Sequence, residues 1–271
     1  DKTPSELEEL AQHLVQKLQR TPAPQRLLVG VAGIPASGKS TFAVLLTERV
    51  NAILRQGSSG PSVPQESSVL ESNGESHLKG YLNGVTDEGD SSKDTIQDQT
   101  ILVGLDGWHL PRAQLDLFPD PKTAHDRRGI HWTFDGEGYV TFVKKLRDAS
   151  NTLVVTAPSF DHALLKDPTP DAVSIYPHHR IVIIEGLYVF LAIPPWSEGG
   201  MLLDERIFIE VDVAEAKRRL VKRHVVTGVA KDAKEAEWRA DENDIPNGLF
   251  IISNMFEPTW TIQSKEIVTL K

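Results

Sequence analysis

One glycine-rich stretch constrains this chain more than any other feature. Residues 33–41 read GIPASGKST and follow the apolar run LLVGVA at 27–32. A short apolar run of this kind is typical of a buried strand, and residues 40–56 carry apolar side chains at helical spacing. A strand, a glycine loop and a helix in this order are the context in which G-x-x-x-x-G-K-[ST] binds phosphate. The stretch therefore predicts a binding site for a nucleoside triphosphate.

The residue types in this loop match the chemistry of a polyphosphate. Glycines allow backbone N–H groups to wrap a phosphate without Cβ clashes, and the helix N-terminus adds partial positive charge. We expect Lys39 to reach the terminal phosphates and the Ser40 hydroxyl to ligate Mg²⁺. The whole loop is assigned to nucleotide binding: Gly33, Ile34, Pro35, Ala36, Ser37, Gly38, Lys39, Ser40 and Thr41.

The composition excludes several other classes of protein. The 271 residues are 39% hydrophobic and 25% charged, which is ordinary for a globular chain that buries a substantial core. The net charge of −9 argues against nucleic acid as a partner. No apolar run is long enough for a membrane span, no signal peptide is visible, and the absence of cysteine excludes disulfides. We expect a cytoplasmic protein that acts on a small molecule.

Strands and helices alternate along the chain, which predicts an α/β fold with a mainly parallel sheet and helices on both faces. We interpret residues 1–271 as a single domain that begins with a helix at 3–20. The stretch 57–99 is rich in Ser, Gly, Asp, Glu and Asn, which predicts a disordered surface insertion. The strands are predicted at 27–32, 101–105, 153–158, 180–186 and 206–212.

Two carboxylates follow apolar strands, at the edge where ligands bind parallel sheets. Glu185 could hold Mg²⁺ directly or through water, or it could cap the following turn. Asp106 could accept a proton from an acceptor hydroxyl, or it could form an Asx-turn before Gly107. His162 also falls just past a predicted strand end.

A basic helix near 214–226 is the candidate for contacts with the transferred phosphate. Arg219 and Arg223 are four residues apart and therefore share a helix face. Guanidinium groups suit phosphate, although a solvated basic face near a helix C-terminus would show the same pattern. The region 214–242 is interpreted as a lid that closes over the nucleotide.

Several motifs in a fixed order carry a resemblance to a known family. GIPASGKST, LDGWH, RRG followed by TFD, PSFDH, VIIEGLYVF and DERIFIEVD resemble the phosphoribulokinase/uridine kinase family, in the branch nearest bacterial-type pantothenate kinases. The likeness runs from Leu27 to the end of the chain without the stretch 57–99. It implies a P-loop NTPase-type fold with a helical lid, and the use of ATP and Mg²⁺.

The resemblance also implies roles for individual residues. Asp106 matches the family's base toward the acceptor hydroxyl and, with Ser40 and Glu185, its metal site. Arg219 and Arg223 match the lid helix that supplies arginines to the phosphates, and with Lys39 and Asp106 they form the predicted catalytic set. The predicted acceptor contacts are Trp108, His109, Arg128 and His162. Trp108 replaces a hydroxyl-bearing aromatic residue, and His131 stands where relatives often carry Pro.

These features together predict a small-molecule kinase that phosphorylates a hydroxyl. The acceptor stays open among a nucleoside, a sugar, a vitamin-like alcohol such as pantothenate, and a sugar phosphate, and no oligomeric state is favoured. The alternatives are an ATPase or nucleotide switch that regulates a protein partner, and a nucleotide-binding domain without turnover. A guanine-specific switch is disfavoured, because the sequence contains neither N-K-x-D nor a D-x-x-G after a strand.

Overall fold

A computed structural model describes residues 5–58, 97–150, 152–160 and 167–264. The strands in chain order are β1 (Leu27–Gly33), β2 (Thr100–Gly104), β3 (Val155–Ser159), β4 (Thr169–Ile175), β5 (Ile181–Glu185), β6 (Glu205–Glu210) and β7 (Trp260–Gln263). Five of them form a wholly parallel sheet in the order β2-β5-β1-β6-β7. The predicted α/β fold with a mainly parallel sheet is confirmed.

Helices pack on both faces of this sheet. They are α1 (Glu6–Arg20), α2 (Lys39–Ser58), α3 (Arg112–Leu115), α4 (Pro121–Asp126), α5 (Gly136–Arg147), α6 (Trp196–Met201), α7 (Val213–Val226), α8 (Ala233–Arg239) and α9 (Ile245–Asn254). Short 3₁₀ turns span Leu105–Trp108 and His131–Thr133, and a π-helical turn, Ala240–Asp244, joins α8 to α9.

Alternate residues of each central strand point to opposite faces, so the sheet is buried on both sides. Val29, Val31 and Ile183 belong to the core beneath α1 and α2. Leu28 and Ile184 belong to the core on the opposite face, which is filled by α5, α6 and the aromatic side chains of Tyr139, Phe142, Tyr188 and Trp196. This double burial explains why the strands are continuous apolar runs.

The strand predicted at 153–158 lies outside the parallel sheet. It begins at Val155, after the exposed Leu153 and Val154, and pairs antiparallel with β4 in a separate two-stranded sheet. The expectation that it joins the parallel sheet is wrong. Its apolar sequence gave no sign of its partner, because β4 is polar at its start and contains Asp171 at a φ of 51°.

Helix α1 lies within the helix predicted at 3–20. Helix α1 begins at Glu6, capped by the Ser5 side chain, and its acidic first turn suits the helix dipole. Most of the predicted insertion at 57–99 lies outside the described residues. Among the helices that are described, none is long and apolar enough to cross a membrane.

Candidate active site

The glycine loop lies between the carboxyl end of β1 and the first turn of α2. Its backbone takes two conformations with positive φ, 62° at Ala36 and 92° at Gly38. A side chain at Gly33 would collide with Ser37 Oγ and approach the Ile209 carbonyl to 2.9 Å. Glycine is therefore required at the close approach, and the loop has the backbone curvature of an anion-binding nest.

Glu185 lies beside the two functional side chains that open α2. The Ser40 hydroxyl donates to Glu185 Oε1 at 3.0 Å, and Lys39 Nζ lies 4.0 Å from the same oxygen. Strand β5 runs between β1 and β2, with Glu185 in register with Val31 and Gly104. The hard oxygens of Ser40 and Glu185 fit the donor chemistry that Mg²⁺ prefers.

Asp106 reaches the same edge of the sheet from β2. Gly104, the last residue of β2, is paired with Glu185, and Asp106 follows in the 3₁₀ turn. Asp106 is half-buried, and the charge of its carboxylate affects the pKa of the buried Tyr188 hydroxyl. Burial raises the pKa of the Tyr188 hydroxyl, the Asn247 hydrogen bond lowers it, and the charges of Asp106 and Asp244 raise it further.

His109 and Arg128 come together around one aromatic ring. The His109 ring lies 4.0 Å from Phe134 and 4.9 Å from Phe160, and its Nδ1 donates to the Asp106 carbonyl at 2.8 Å. Arg128 donates to the Leu110 carbonyl at 3.1 Å and lies 5.5 Å above the Phe160 ring. Burial lowers the pKa of Arg128. This half-buried cation and imidazole form one wall beside Asp106.

The other two predicted acceptor contacts stand apart from this wall. Trp108 is 5% exposed and packs 4.9 Å from Phe142 and 5.6 Å from Tyr139, inside the hydrophobic core. Because its ring is part of the hydrophobic core, we leave Trp108 out of the proposed acceptor site. His162 lies outside the described residues.

Helix α9 supplies residues to this region that the sequence did not single out as site residues. The Tyr188 hydroxyl donates to the Gly129 carbonyl and accepts from the Asn247 amide, both at 2.7 Å. A side chain at Gly248 would meet Ile34 Cβ at 3.1 Å, so α9 packs directly on the phosphate loop. The amide of Asn247 is therefore buried against Tyr188, the tyrosine of the VIIEGLYVF motif.

His131 lines the same region against α9. Its ring stacks on Phe250 at 4.8 Å with an interplanar angle of 9°, edge-on to Tyr188 at 6.1 Å. Burial lowers its pKa, which favours the neutral imidazole at pH 7. The side chain expected from its sequence position to change the pocket is therefore an uncharged polar group among aromatic rings.

The two arginines predicted to contact phosphate, both on α7, differ in their surroundings. Arg219 on α7 donates to Glu215 at 2.8 Å and to the loop carbonyl of Ala36 at 3.4 Å. Arg223, one turn later, is exposed and forms no ion pair within the described part of the chain. It interacts electrostatically with Asp244 and His224 in the π-turn and α7. Arg219 is thus already at the loop, and Arg223 is available for an anion.

A parallel sheet with a phosphate-binding loop and a carboxylate on the adjacent strand defines a P-loop nucleotide-binding protein. No family model matches the chain. It is 31% identical over 267 residues to a Schizosaccharomyces pombe protein named "putative uridine kinase", with 98% of this chain and 94% of the relative covered. It is also 49% identical over 152 residues to the "ATP-dependent kinase-like protein notR'" of Aspergillus versicolor, with 55% of this chain and 88% of the relative covered.

Solved structures agree with these relatives. A "putative fructose transport system kinase" from Silicibacter superposes with a TM-score of 0.69 at 26% identity, with 95% of this chain and 99% of that chain covered. YFH7 of Saccharomyces cerevisiae, described as "a putative P-loop containing kinase", shares the fold, with a TM-score of 0.70 at 24% identity and 96% of this chain and 98% of that chain covered. The chain belongs to the phosphoribulokinase/uridine kinase family of P-loop kinases.

Proposed function

We propose that this kinase transfers the γ-phosphate of ATP to a hydroxyl group of a small metabolite. The contact between Ser40 and Glu185, at 3.0 Å beside Lys39, carries the proposal. This contact joins the Glu185 carboxylate to the first turn of α2. Glu185 ends β5, and β5 neighbours β2, the strand that ends just before Asp106. A nucleotide switch needs no carboxylate base beside a group of polar and aromatic side chains such as His109, Arg128 and Phe160.

Each residue has a defined task in this reaction. The loop amides and Lys39 hold the triphosphate, and Ser40 and Glu185 would hold Mg²⁺, which neutralises phosphate charge when bound. Asp106 accepts the proton of the attacking hydroxyl as its oxygen bonds to the γ-phosphorus, while the bond from that phosphorus to the β,γ-bridging oxygen breaks and ADP leaves. Arg219 and Arg223 supply positive charge to the transferred group. His109 and Arg128 line the acceptor side.

The acceptor is best sought first among nucleosides and sugars. The relatives above are named for a uridine kinase and for a fructose transport system kinase. His131, as a neutral imidazole, and the Phe250 ring stacked on it are both partly exposed, and they suit an uncharged acceptor with a ring or several hydroxyls. Pantothenate-like alcohols form the third group to be tested.

The test is a defined panel of nucleosides, sugars and pantothenate-like alcohols, incubated with ATP and Mg²⁺ and read by mass spectrometry. We expect at least one acceptor to gain a phosphate, and Lys39→Ala to abolish this product. ATP binding without any phosphorylated acceptor would contradict the proposal. Hydrolysis accelerated by a protein and by no small molecule would favour the regulatory ATPase instead.

A further inference from the structure

Ser264, directly after β7, joins the phosphate loop to the arginine helix. It is 2% exposed, and its hydroxyl donates to the Ser37 carbonyl at 2.7 Å. The same oxygen accepts from Arg219 Nη1 at 2.7 Å. One buried hydroxyl therefore links β7, the loop and α7, three segments that are far apart in sequence.

Ser264 belongs to a set of contacts that fixes the Arg219 guanidinium. A guanidinium carries five N–H donors in a rigid plane. The Nε proton of Arg219 is donated to Glu215 at 2.8 Å, and Nη1 donates to Ser264 at 2.7 Å and to Ala36 at 3.4 Å. The two protons on Nη2 have no hydrogen-bond partner within the described part of the chain. The guanidinium is thus held at Nε and at Nη1, and its Nη2 donors remain for a ligand.

Glu215 completes this arrangement from the other side. Hydrogen bonds from Arg218 and Arg219 lower its pKa to about 2, so it is ionised at neutral pH. However, Glu215 lies on the same helix as Arg219 and moves with it. Among the described residues, only Ser264, through its bond to the Ser37 carbonyl, and the Ala36 carbonyl connect the guanidinium to the loop, and the bond to Ser264 is shorter than the one to Ala36.

We propose that Ser264 is a positioning residue for phosphoryl transfer, which holds the Arg219 guanidinium against the phosphate loop so that its Nη2 donors serve the bound triphosphate. This inference rests on the proposed function, but it also predicts an effect on nucleotide binding that does not require turnover. A purely structural Ser264 would only satisfy the buried Ser37 carbonyl. Its loss would then lower stability without any dependence on Arg219.

The experiment is a double-mutant cycle of Ser264→Ala and Arg219→Gln, read by the affinity for ATP and for adenosine and by the transfer rate. We expect Ser264→Ala to weaken ATP binding about 5-fold to 10-fold, to lower transfer by about the same factor, and to leave adenosine binding within twofold. In the Arg219→Gln background the same change should have less than a twofold effect. Ser264→Thr, which keeps the hydroxyl, should restore most of the ATP affinity.

Thr47→Val is the matched control, because Thr47 is a buried residue whose hydroxyl donates to a backbone carbonyl, that of Ala43 at 2.7 Å. It should lower the melting temperature without changing ATP affinity. Equal losses from Ser264→Ala in both Arg219 backgrounds, or equal losses for ATP and adenosine, would overturn the positioning role. If the wild type transfers no phosphate, the proposed function fails, and the ATP-binding cycle still decides the role of Ser264.

Discussion

We expect the charge of Glu185 to weaken ATP binding in the absence of Mg²⁺ and to strengthen it in the presence of Mg²⁺. Glu185 Oε1 lies 4.0 Å from Lys39 Nζ, and the two side chains are 8% and 14% exposed. At an effective dielectric constant of about 20, unit charges at this distance interact by about 4 kcal/mol before screening. Without Mg²⁺ the carboxylate competes with phosphate for Lys39; with Mg²⁺ it would be a ligand.

We therefore expect Glu185→Gln to uncouple ATP binding from Mg²⁺. A charged ligand contact of about 1.5–3 kcal/mol corresponds to roughly a 10-fold to 100-fold tightening of ATP binding by Mg²⁺ in the wild type. The variant should gain less than about threefold from Mg²⁺, and in EDTA it should bind ATP at least as tightly as the wild type. Calorimetric titration of ATP with and without Mg²⁺ measures both quantities.

Glu205→Gln is the control for this experiment. Glu205 is also a buried carboxylate beside a lysine, 2.5 Å from Lys17, but it begins β6 and therefore lies at the opposite edge of the sheet. Its loss should lower stability and leave the Mg²⁺ dependence of ATP binding intact. An unchanged Mg²⁺ dependence in Glu185→Gln, or the same loss in Glu205→Gln, would refute the magnesium role of Glu185.

Three further perturbations test other parts of the account. Asp106→Asn should keep ATP affinity and lower single-turnover transfer about 10²-fold to 10⁴-fold, and a normal rate would remove Asp106 from the base role. Arg223→Gln should lower transfer about 10-fold, whereas Arg218→Gln, an exposed arginine on the same helix, should change it less than twofold; equal effects would show a general charge effect. Burial lowers the pKa of His179 to about 4. Because the unfolded chain binds this proton between about pH 6.5 and pH 4 and the folded chain does not, stability is complete above that window and falls by about 1.4 kcal/mol per pH unit within it. Urea unfolding should show a smaller acid loss in His179→Asn, and an equal loss would contradict the assignment.

The sequence predicted the elements whose physical cause is local. The phosphate loop, the helix after it and the buried strands on either side follow from glycine spacing and apolar periodicity. Asp106 and Glu185 were predicted to lie at the same edge, because ligands bind parallel sheets at the carboxyl ends of the strands. Each of these signals lies within one stretch of chain.

What the sequence missed depends on partners that are distant along the chain. β3 reads as a central strand, but its pairing with the polar β4 removes it from the parallel sheet. Ser264 stands in an unremarkable stretch, and its importance comes only from its contacts with Ser37 and Arg219. Trp108 was predicted to contact the acceptor from the family resemblance of the LDGWH motif, yet its ring lies in the core.

The most direct measurement of the central claim follows a labelled γ-phosphate from ATP into a metabolite extract. The wild-type protein, ATP carrying ¹⁸O in its γ-phosphate and Mg²⁺ are incubated with the extract, and the products are analysed by mass spectrometry. The account predicts a labelled phosphorylated metabolite that forms with the wild type and not with Lys39→Ala. Label that appears only in inorganic phosphate, or that never leaves ATP, would contradict it.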